Sequence, residues 1–389
     1  MSSWPSFTTE EAEAASDVLL SNKVNYWTGQ IGRQFEAEFA DWTGSAHAVA
    51  LANGTLALDL ALKALAIGEG DEVIVTPRTF IASVSSVVNC GATPIFADVD
   101  RNSGNITPAT IEPLISPRTK AIIPVHLAGW PCEMNGILEL ARRYDLRVIE
   151  DCAQAHGARI DGKSVGSFGD IGAWSFCQDK IMTTGGEGGM VTTDSEALWS
   201  AMWSFKDHGK DWDAVYNRTH QPGFRFVHES FGTNWRMLEV QAAIGRIQLG
   251  RMDKWTTRRT ANALALAASL GRFESAVRVP LPKEGTTHAF YRLYAYVRAD
   301  GLAAGWNRDR LVSEMIGLGV PVMHGTCSEV YLEKAFDGTG LRPASRLPVA
   351  CELGETSLMF MVHPTLMPDH MLKICQAVEM VLENATGGA

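Results

Sequence analysis

The sequence has no run of 18 or more apolar residues, so it offers no candidate for a helix that spans a membrane. It also lacks surplus positive charge. Its 34 lysines and arginines stand against 44 aspartates and glutamates, a formal net charge of −10, with no basic stripe to offset it. That balance excludes a general nucleic-acid binder, although an anionic small substrate needs only a few local donors. Cysteine is scarce and unpatterned. The seven thiols at 90, 132, 152, 177, 327, 351 and 375 match neither a zinc site nor a disulfide framework. They are expected to be reduced thiols of a cytoplasmic protein, with no metal. The first residues, MSSWPSFTTEEAEAASDVLL, have neither a basic region nor a long apolar core. They read as a loop and an amphipathic helix capped by Thr8 or Thr9 rather than a signal peptide. Internal repeats, low-complexity tracts, a P-loop and a dinucleotide fingerprint are all missing, so neither ATP nor NAD is indicated.

What is present is alternation. Between about 35 and 193, β-rich runs (EVIV 72–75, PIFA 94–97, AIIPV 121–125, RVIE 147–150, AWSF 173–176, MVTT 190–193) alternate with helical stretches at 56–66, 80–89 and 134–144. Most of the runs lack polar alternation, as strands covered on both faces do. The pattern predicts an α/β fold, with a mainly parallel sheet between layers of helices. AWSF and MVTT lie too close for a crossover helix, so one of the last strands is expected to run antiparallel. Residues 208–233 read as a long polar and aromatic loop, 235–255 as one long helix, 291–300 as a strand and 308–319 as a helix. The expected division is a large domain at 1–249 and a smaller α+β domain at 250–389.

Several residues in this frame point to chemistry. Asp151 directly follows the run RVIE, and ligands of open α/β sheets sit beyond the carboxyl ends of strands. Asn53-Gly54-Thr55 opens a helix whose first N–H groups suit a phosphate. Lys180 follows AWSF and precedes the glycine turn GGEGG, among Cys177, Ile181 and Met182. Partial burial there favours a nucleophilic amine. With Ser175, these parts fit pyridoxal 5′-phosphate: the lysine binds the aldehyde as an imine, and the aspartate keeps the pyridine nitrogen protonated. Helix capping, turn formation and ordinary surface charge are the competing explanations for each residue taken singly.

The motifs VNYWTGQ (24–30), ANGTLALDLAL (52–62), TPRTFIASVSSVVNCGATPIFADVD (76–100), PVHLAG (124–129), VIEDCAQAHGA (148–158), WSFCQDKIMTTGGEGGMVTT (174–193) and FGTNWRMLEVQAAIGRIQL (231–249) span most of the chain. Together they resemble the DegT/DnrJ/StrS family of sugar aminotransferases. The resemblance implies the aspartate-aminotransferase-like fold (fold-type I), with a seven-stranded-type sheet in the large domain. It implies a homodimer with shared active sites, in which Asn234 reaches the phosphate of the neighbouring subunit. It assigns Lys180 and Asp151 to catalysis, Gly54, Thr55 and Ser175 to the phosphate, Phe80 to stacking on the cofactor ring, and Gln154 to a place beside that ring or its phenolic oxygen. Tyr26, Trp27, Thr28, Gly29, His126, Arg225 and His324 are the expected substrate contacts, with Arg218 as an alternative to Arg225. His156, like His126, is read as structural or substrate-shaping.

The implied reaction moves an amino group from glutamate, which leaves as 2-oxoglutarate, to the keto group of a nucleotide-linked sugar. The cofactor alternates with its pyridoxamine 5′-phosphate form, and the product serves polysaccharide or secondary-metabolite synthesis. A relative that dehydrates the sugar carries histidine in place of the lysine. Retention of lysine therefore favours transfer over a dehydratase or epimerase. A cyclitol acceptor, amination at C3 or at C4, and a cofactor-binding sensor without turnover stay open.

Overall fold

The computed structural model describes residues 3–387. Short strands with both faces covered make the central layer. Seven of them, β1 (His47–Leu51), β2 (Glu72–Val75), β3 (Thr93–Phe96), β4 (Thr119–Ile123), β5 (Arg147–Asp151), β8 (Ile171–Ser175) and β9 (Gly189–Thr193), pair in the order β1-β9-β8-β5-β4-β2-β3. Between β5 and β8 in sequence lie the two-residue strands β6 (Arg159–Ile160) and β7 (Lys163–Ser164). β3, β2, β4, β5 and β8 are mutually parallel. β9 runs antiparallel to both β8 and β1, as the short link between the last two runs required. β2 and β8 are buried at every residue, which is why their sequences do not alternate.

Helices cover both sides. Helix Met134–Tyr144 buries Met134, Ile137, Leu140 and Ala141, one stripe at helical spacing. The first helix, Thr9–Leu20, starts on Thr8, whose N–H and hydroxyl both donate to the Glu11 carboxylate at 2.7 Å. It packs against helix Glu239–Leu249. A second, antiparallel sheet lies later in the chain. It comprises β10 (Val277–Arg278), β12 (Leu293–Val297), β13 (Val322–Met323) and β14 (Ser357–Phe360), in the order β10-β12-β14-β13. Its apolar face meets helices Met252–Gly271, Arg308–Gly317 and Pro368–Ala385. β11 (Thr286–Thr287) joins β6 and β7 in a small third sheet.

Two expectations are corrected. The stretch 235–255 is not one helix. Ala52 N–H donates to the Trp235 carbonyl beside the end of β1, which keeps that residue extended, and the helix proper starts at Glu239. It ends at Leu249, and a second helix runs from Met252. At the break, Arg251 turns to Glu10 and Glu11 of the first helix, so the two helices serve different partners. The loop 208–233 is interrupted by a short helix, Trp212–Tyr216, capped by Asp211. Among the described residues, no helix is long and apolar enough to cross a membrane.

Candidate active site

A cavity of about 730 Å³ opens beyond the carboxyl ends of β5 and β8. The sheet supplies its floor because each strand delivers one polar residue as it ends. Asp151 is the last residue of β5 and Ser175 the last of β8, both nearly buried. The Asp151 carboxylate accepts from Ser83 Oγ at 2.7 Å and from Ala153 N–H at 3.1 Å, and Ser83 in turn bonds Thr79 at 2.7 Å. These contacts fix the direction in which the acid points.

Helix Gly54–Ala64 begins at the same rim. Asn53 Oδ1 takes the Leu56 N–H at 3.0 Å, which leaves the first N–H groups, those of Gly54 and Thr55, beyond the reach of intrahelical acceptors. Gly54 approaches Ser175 so closely that a Cβ there would lie 2.5 Å from the serine Cβ. Only glycine permits that approach.

Lys180 lies in the loop after β8. The loop is held by Thr183, which donates its hydroxyl to the Phe176 carbonyl at 2.9 Å and its N–H to Gln248 at 2.8 Å. Gly185 and Gly186, at φ +86° and +119°, make the turn back into β9. Trp4 Nε1 donates to the Lys180 carbonyl at 2.8 Å, so the backbone is pinned from the far side. The lysine side chain is mostly buried; Nζ stands 3.9 Å from the Asp179 carboxylate and 5.4 Å from the centre of the Tyr291 ring.

Lys180, Asp151, Gly54, Thr55, Phe80, Gln154 and Ser175 all line this one cavity. Phe80 stands 65% exposed in it. Gln154 gives its carbonyl oxygen to Ala128 N–H at 2.8 Å, which leaves its amide NH₂ as the free end. The other expected residues lie elsewhere in the chain. Asn234 is exposed, at a bridge with Asp207. Trp27 donates to the buried Asp207 at 2.8 Å, Thr28 turns on Asn25, and Gly29 packs against the Glu239 side chain. Arg225 caps the Val215 carbonyl, Arg218 pairs with Glu229, and His324 faces Asp309 at 3.3 Å.

For Tyr26 and His126, burial corrects the expectation of a substrate contact. Tyr26 is 2% exposed, and its hydroxyl is spent on Glu36 at 2.9 Å. His126 is fully buried. Its Nδ1 accepts the Cys132 N–H at 2.9 Å, so the ring proton sits on Nε2 and goes to Glu150 at 3.1 Å. Glu150 also takes the N–H groups of Gly166, Phe168 and Gly169. His126, Glu150 and Cys152 are close enough together to suggest a metal site. The first two have their lone pairs committed, however, and burial pushes the Cys152 thiol well up, away from thiolate. The cluster is a hydrogen-bonded brace under the end of β5.

Sequence reasoning missed the wall opposite the sheet: Tyr291, Arg292, Tyr294, Met323, Thr326 and Met359. It also missed Ser83, which read as the body of a helix. The one local signal was Asp179 directly before Lys180. That acid accepts from the Tyr291 hydroxyl and is held below the ordinary carboxylate range, because the charge of Lys180 and this hydrogen bond outweigh its burial.

His156 is buried beneath the lysine loop against Trp174 and Phe176, and both its ring nitrogens lack partners. Burial, and then the charges of Lys180 and Arg259, bring it down from 6.5 to about 3, so the ring is neutral. Between those two values the unfolded chain binds the proton and the folded one does not, so stability falls as pH drops through that window. One such histidine costs about 2 kcal/mol between pH 6.5 and 5. His156→Phe is therefore expected to lose less stability than the parent over this range, read from urea midpoints at pH 7.5 and 5. An equal loss in both proteins contradicts the assignment of a buried neutral ring.

The model of the DegT/DnrJ/EryC1/StrS aminotransferase family matches residues 5–379. The chain is 42% identical over 314 residues to the GDP-perosamine synthase of Caulobacter vibrioides, covering 79% of this chain and 81% of that protein. It is 38% identical to the UDP-N-acetyl-3-dehydro-α-D-glucosamine 3-aminotransferase of Acidithiobacillus ferrooxidans, over 93% and 92% of the two chains. Among solved structures, the aminotransferase from Psychrobacter cryohalolentis superposes with a TM-score of 0.98 at 62% identity, covering 99% of each chain.

Proposed function

The chain belongs to the DegT/DnrJ/EryC1/StrS aminotransferase family, and from that premise we propose that it transfers an amino group from glutamate to the keto group of a nucleotide-linked sugar, with pyridoxal phosphate carried on Lys180. The observation that carries this reading is the convergence of Lys180, Asp151 and an open helix N-terminus on one cavity. Relatives named for reactions on GDP- and UDP-linked sugars support the acceptor class.

The residues fit the cofactor. The helix terminus at Gly54–Thr55 offers uncommitted N–H groups and the positive end of a dipole, where a phosphate is favoured. A Cβ at residue 54 would close that cradle against Ser175. Asp151 lines the same cavity as Lys180, is oriented by Ser83 and Ala153, and is the acid that would hold a proton on the pyridine nitrogen.

When bound, pyridoxal phosphate supplies the electron sink that stabilises negative charge at the donor's α-carbon. The protein's part is orientation and proton movement. Gly54, Thr55 and Ser175 would hold the phosphate, Phe80 and Gln154 would line the place of the ring, and Asp151 would keep its nitrogen protonated. Lys180 Nζ would take the α-proton of glutamate and, in the return half, deliver a proton to the carbon that receives nitrogen. A base placed in this way contributes ~10²–10⁴-fold. Residues 1–249 form the cofactor-binding unit in this reading and 250–389 the smaller one. Two copies would share their sites, each Asn234 reaching across, and the exposed Phe224, Phe226 and Phe231 of the loop that precedes it suit such a contact.

The test separates the two halves. Glutamate alone is expected to release one equivalent of 2-oxoglutarate per chain. A panel of nucleotide-linked keto-sugars, added next, is expected to yield an amino sugar detected by mass. A product that has lost water without gaining nitrogen would point to a dehydratase instead.

A further inference from the structure

The wall facing Lys180 carries a cation that this reaction scheme leaves without a role. Arg292 is the only arginine among the described residues that line the cavity. Its side chain is 7% exposed, one Nη donates to the Tyr291 carbonyl at 2.9 Å, and the guanidinium lies 3.9 Å from the centre of the Tyr291 ring. The other Nη stands 3.6 Å from the Asp179 carboxylate, too long for a hydrogen bond. The firm partner of Asp179 is the Tyr291 hydroxyl instead.

Behind Arg292 lies a second guanidinium, Arg259. It is fully buried, rests 4.9 Å from the Trp4 ring, and has Nε and one Nη without any acceptor. Among the described residues, the carboxylate near this pair of guanidiniums is the half-exposed Asp179, and it approaches Arg292 alone. Burial and the nearby charge of Arg292 bring the Arg259 guanidinium down to about 9. A cationic wall of this kind is costly unless an anion completes it.

The spacing says which anion. Asp179 lies within 3.6 Å of Arg292 and 3.9 Å of Lys180 Nζ. One carboxylate can therefore lie between the two cations, so their separation is short. A molecule bearing an amine beside a carboxylate spans such a gap, with its nitrogen at Lys180 and its carboxylate on the arginine fork. The diphosphate of a nucleotide-linked sugar lies a whole sugar ring away from the reacting carbon and does not.

We propose that Arg292, backed by Arg259, is the subsite for the α-carboxylate of the amino donor. This rests on the reading that Lys180 carries out amino transfer. In the donor half-reaction the wild-type protein is expected to use glutamate at least ~100-fold more efficiently than glutamate α-amide, which has the same amine without that charge. In Arg292→Gln, glutamate should fall ~100-fold while the amide changes little, so the preference collapses; Arg292→Lys should be intermediate. Calorimetric binding of 2-methylglutamate, which has no α-proton to transfer, should weaken in parallel with the glutamate rate. The acceptor half-reaction of the variant should lose far less than the donor half.

Equal use of both donors by the wild type overturns the proposal, and so does a preference that survives in Arg292→Gln. A larger loss with the sugar than with glutamate also overturns it and assigns the arginine to an acid group of the acceptor. The donor comparison in the wild type stands even where a variant fails to fold. If no amino acid reduces the wild-type cofactor at all, it is the premise about Lys180 that fails.

Discussion

Lys180→Ala is expected to lose amino transfer by at least ~10⁴-fold, measured as product formed per chain under saturating donor and acceptor. The size follows from the two roles that the proposed function rests on one nitrogen: attachment of the cofactor and movement of the α-proton. No second amine stands ready, because among the described residues Lys180 is the only lysine lining the cavity. Folding should be little affected. The one ion pair of the side chain is a 3.9 Å approach to Asp179, which is itself half exposed, and pairs of that kind contribute under about 1 kcal/mol. The variant should therefore melt close to the parent while its visible absorbance with added cofactor is lost. Turnover within tenfold of wild type would end the assignment.

Asp151→Asn carries the second large effect, a drop of ~10²–10³ in kcat, the loss typical when one preorganised electrostatic partner of a reacting group is removed. The substitution keeps the shape: its one oxygen can still accept the Ala153 N–H, and its NH₂ can donate to Ser83 Oγ, whose own hydroxyl then turns to Thr79. What goes is the charge that, in the proposed function, would hold the ring nitrogen protonated. Both half-reactions should slow together, because both draw on the same electron sink. That separates this variant from Arg292→Gln, whose loss falls on the donor half. A variant with unchanged kcat and altered KM alone would reduce Asp151 to a binding contact.

How far these residues could be read from sequence follows from how local their signals are. Lys180 was legible because an apolar run, a lysine and a glycine turn lie within a short stretch, and all three belong to one strand end and its return. Asp151 was legible because a strand buried on both faces ends in an acid. The parallel order was carried by uninterrupted apolar runs such as EVIV, which only a doubly covered strand tolerates. β1 (His47–Leu51) escaped notice because HAVAL is brief and leads straight into a helix cap.

Arg292 and Tyr291 were read only as part of a strand. Their meaning depends on Asp179, 112 residues earlier, and nothing in local pattern forecasts that meeting. Tyr26 and His126 erred the other way. Both sit in motifs that promise chemistry, yet each finds a buried carboxylate, Glu36 for one and Glu150 for the other, that takes its polar group out of reach. The long helix expected over 235–255 failed for a related reason. Helical periodicity runs on through Gly250 and Arg251, but Arg251 is drawn to Glu10 and Glu11 at the opposite end of the chain.

The claim beneath all of this is a covalent one, and borohydride reduction of the purified protein followed by peptide mapping tests it directly. Reduction should fix a pyridoxyl phosphate mass increment on the peptide that contains Lys180 and on no other, and prior incubation with glutamate should prevent it. An increment on a different lysine, or none in a protein that still transfers amino groups, would contradict the account.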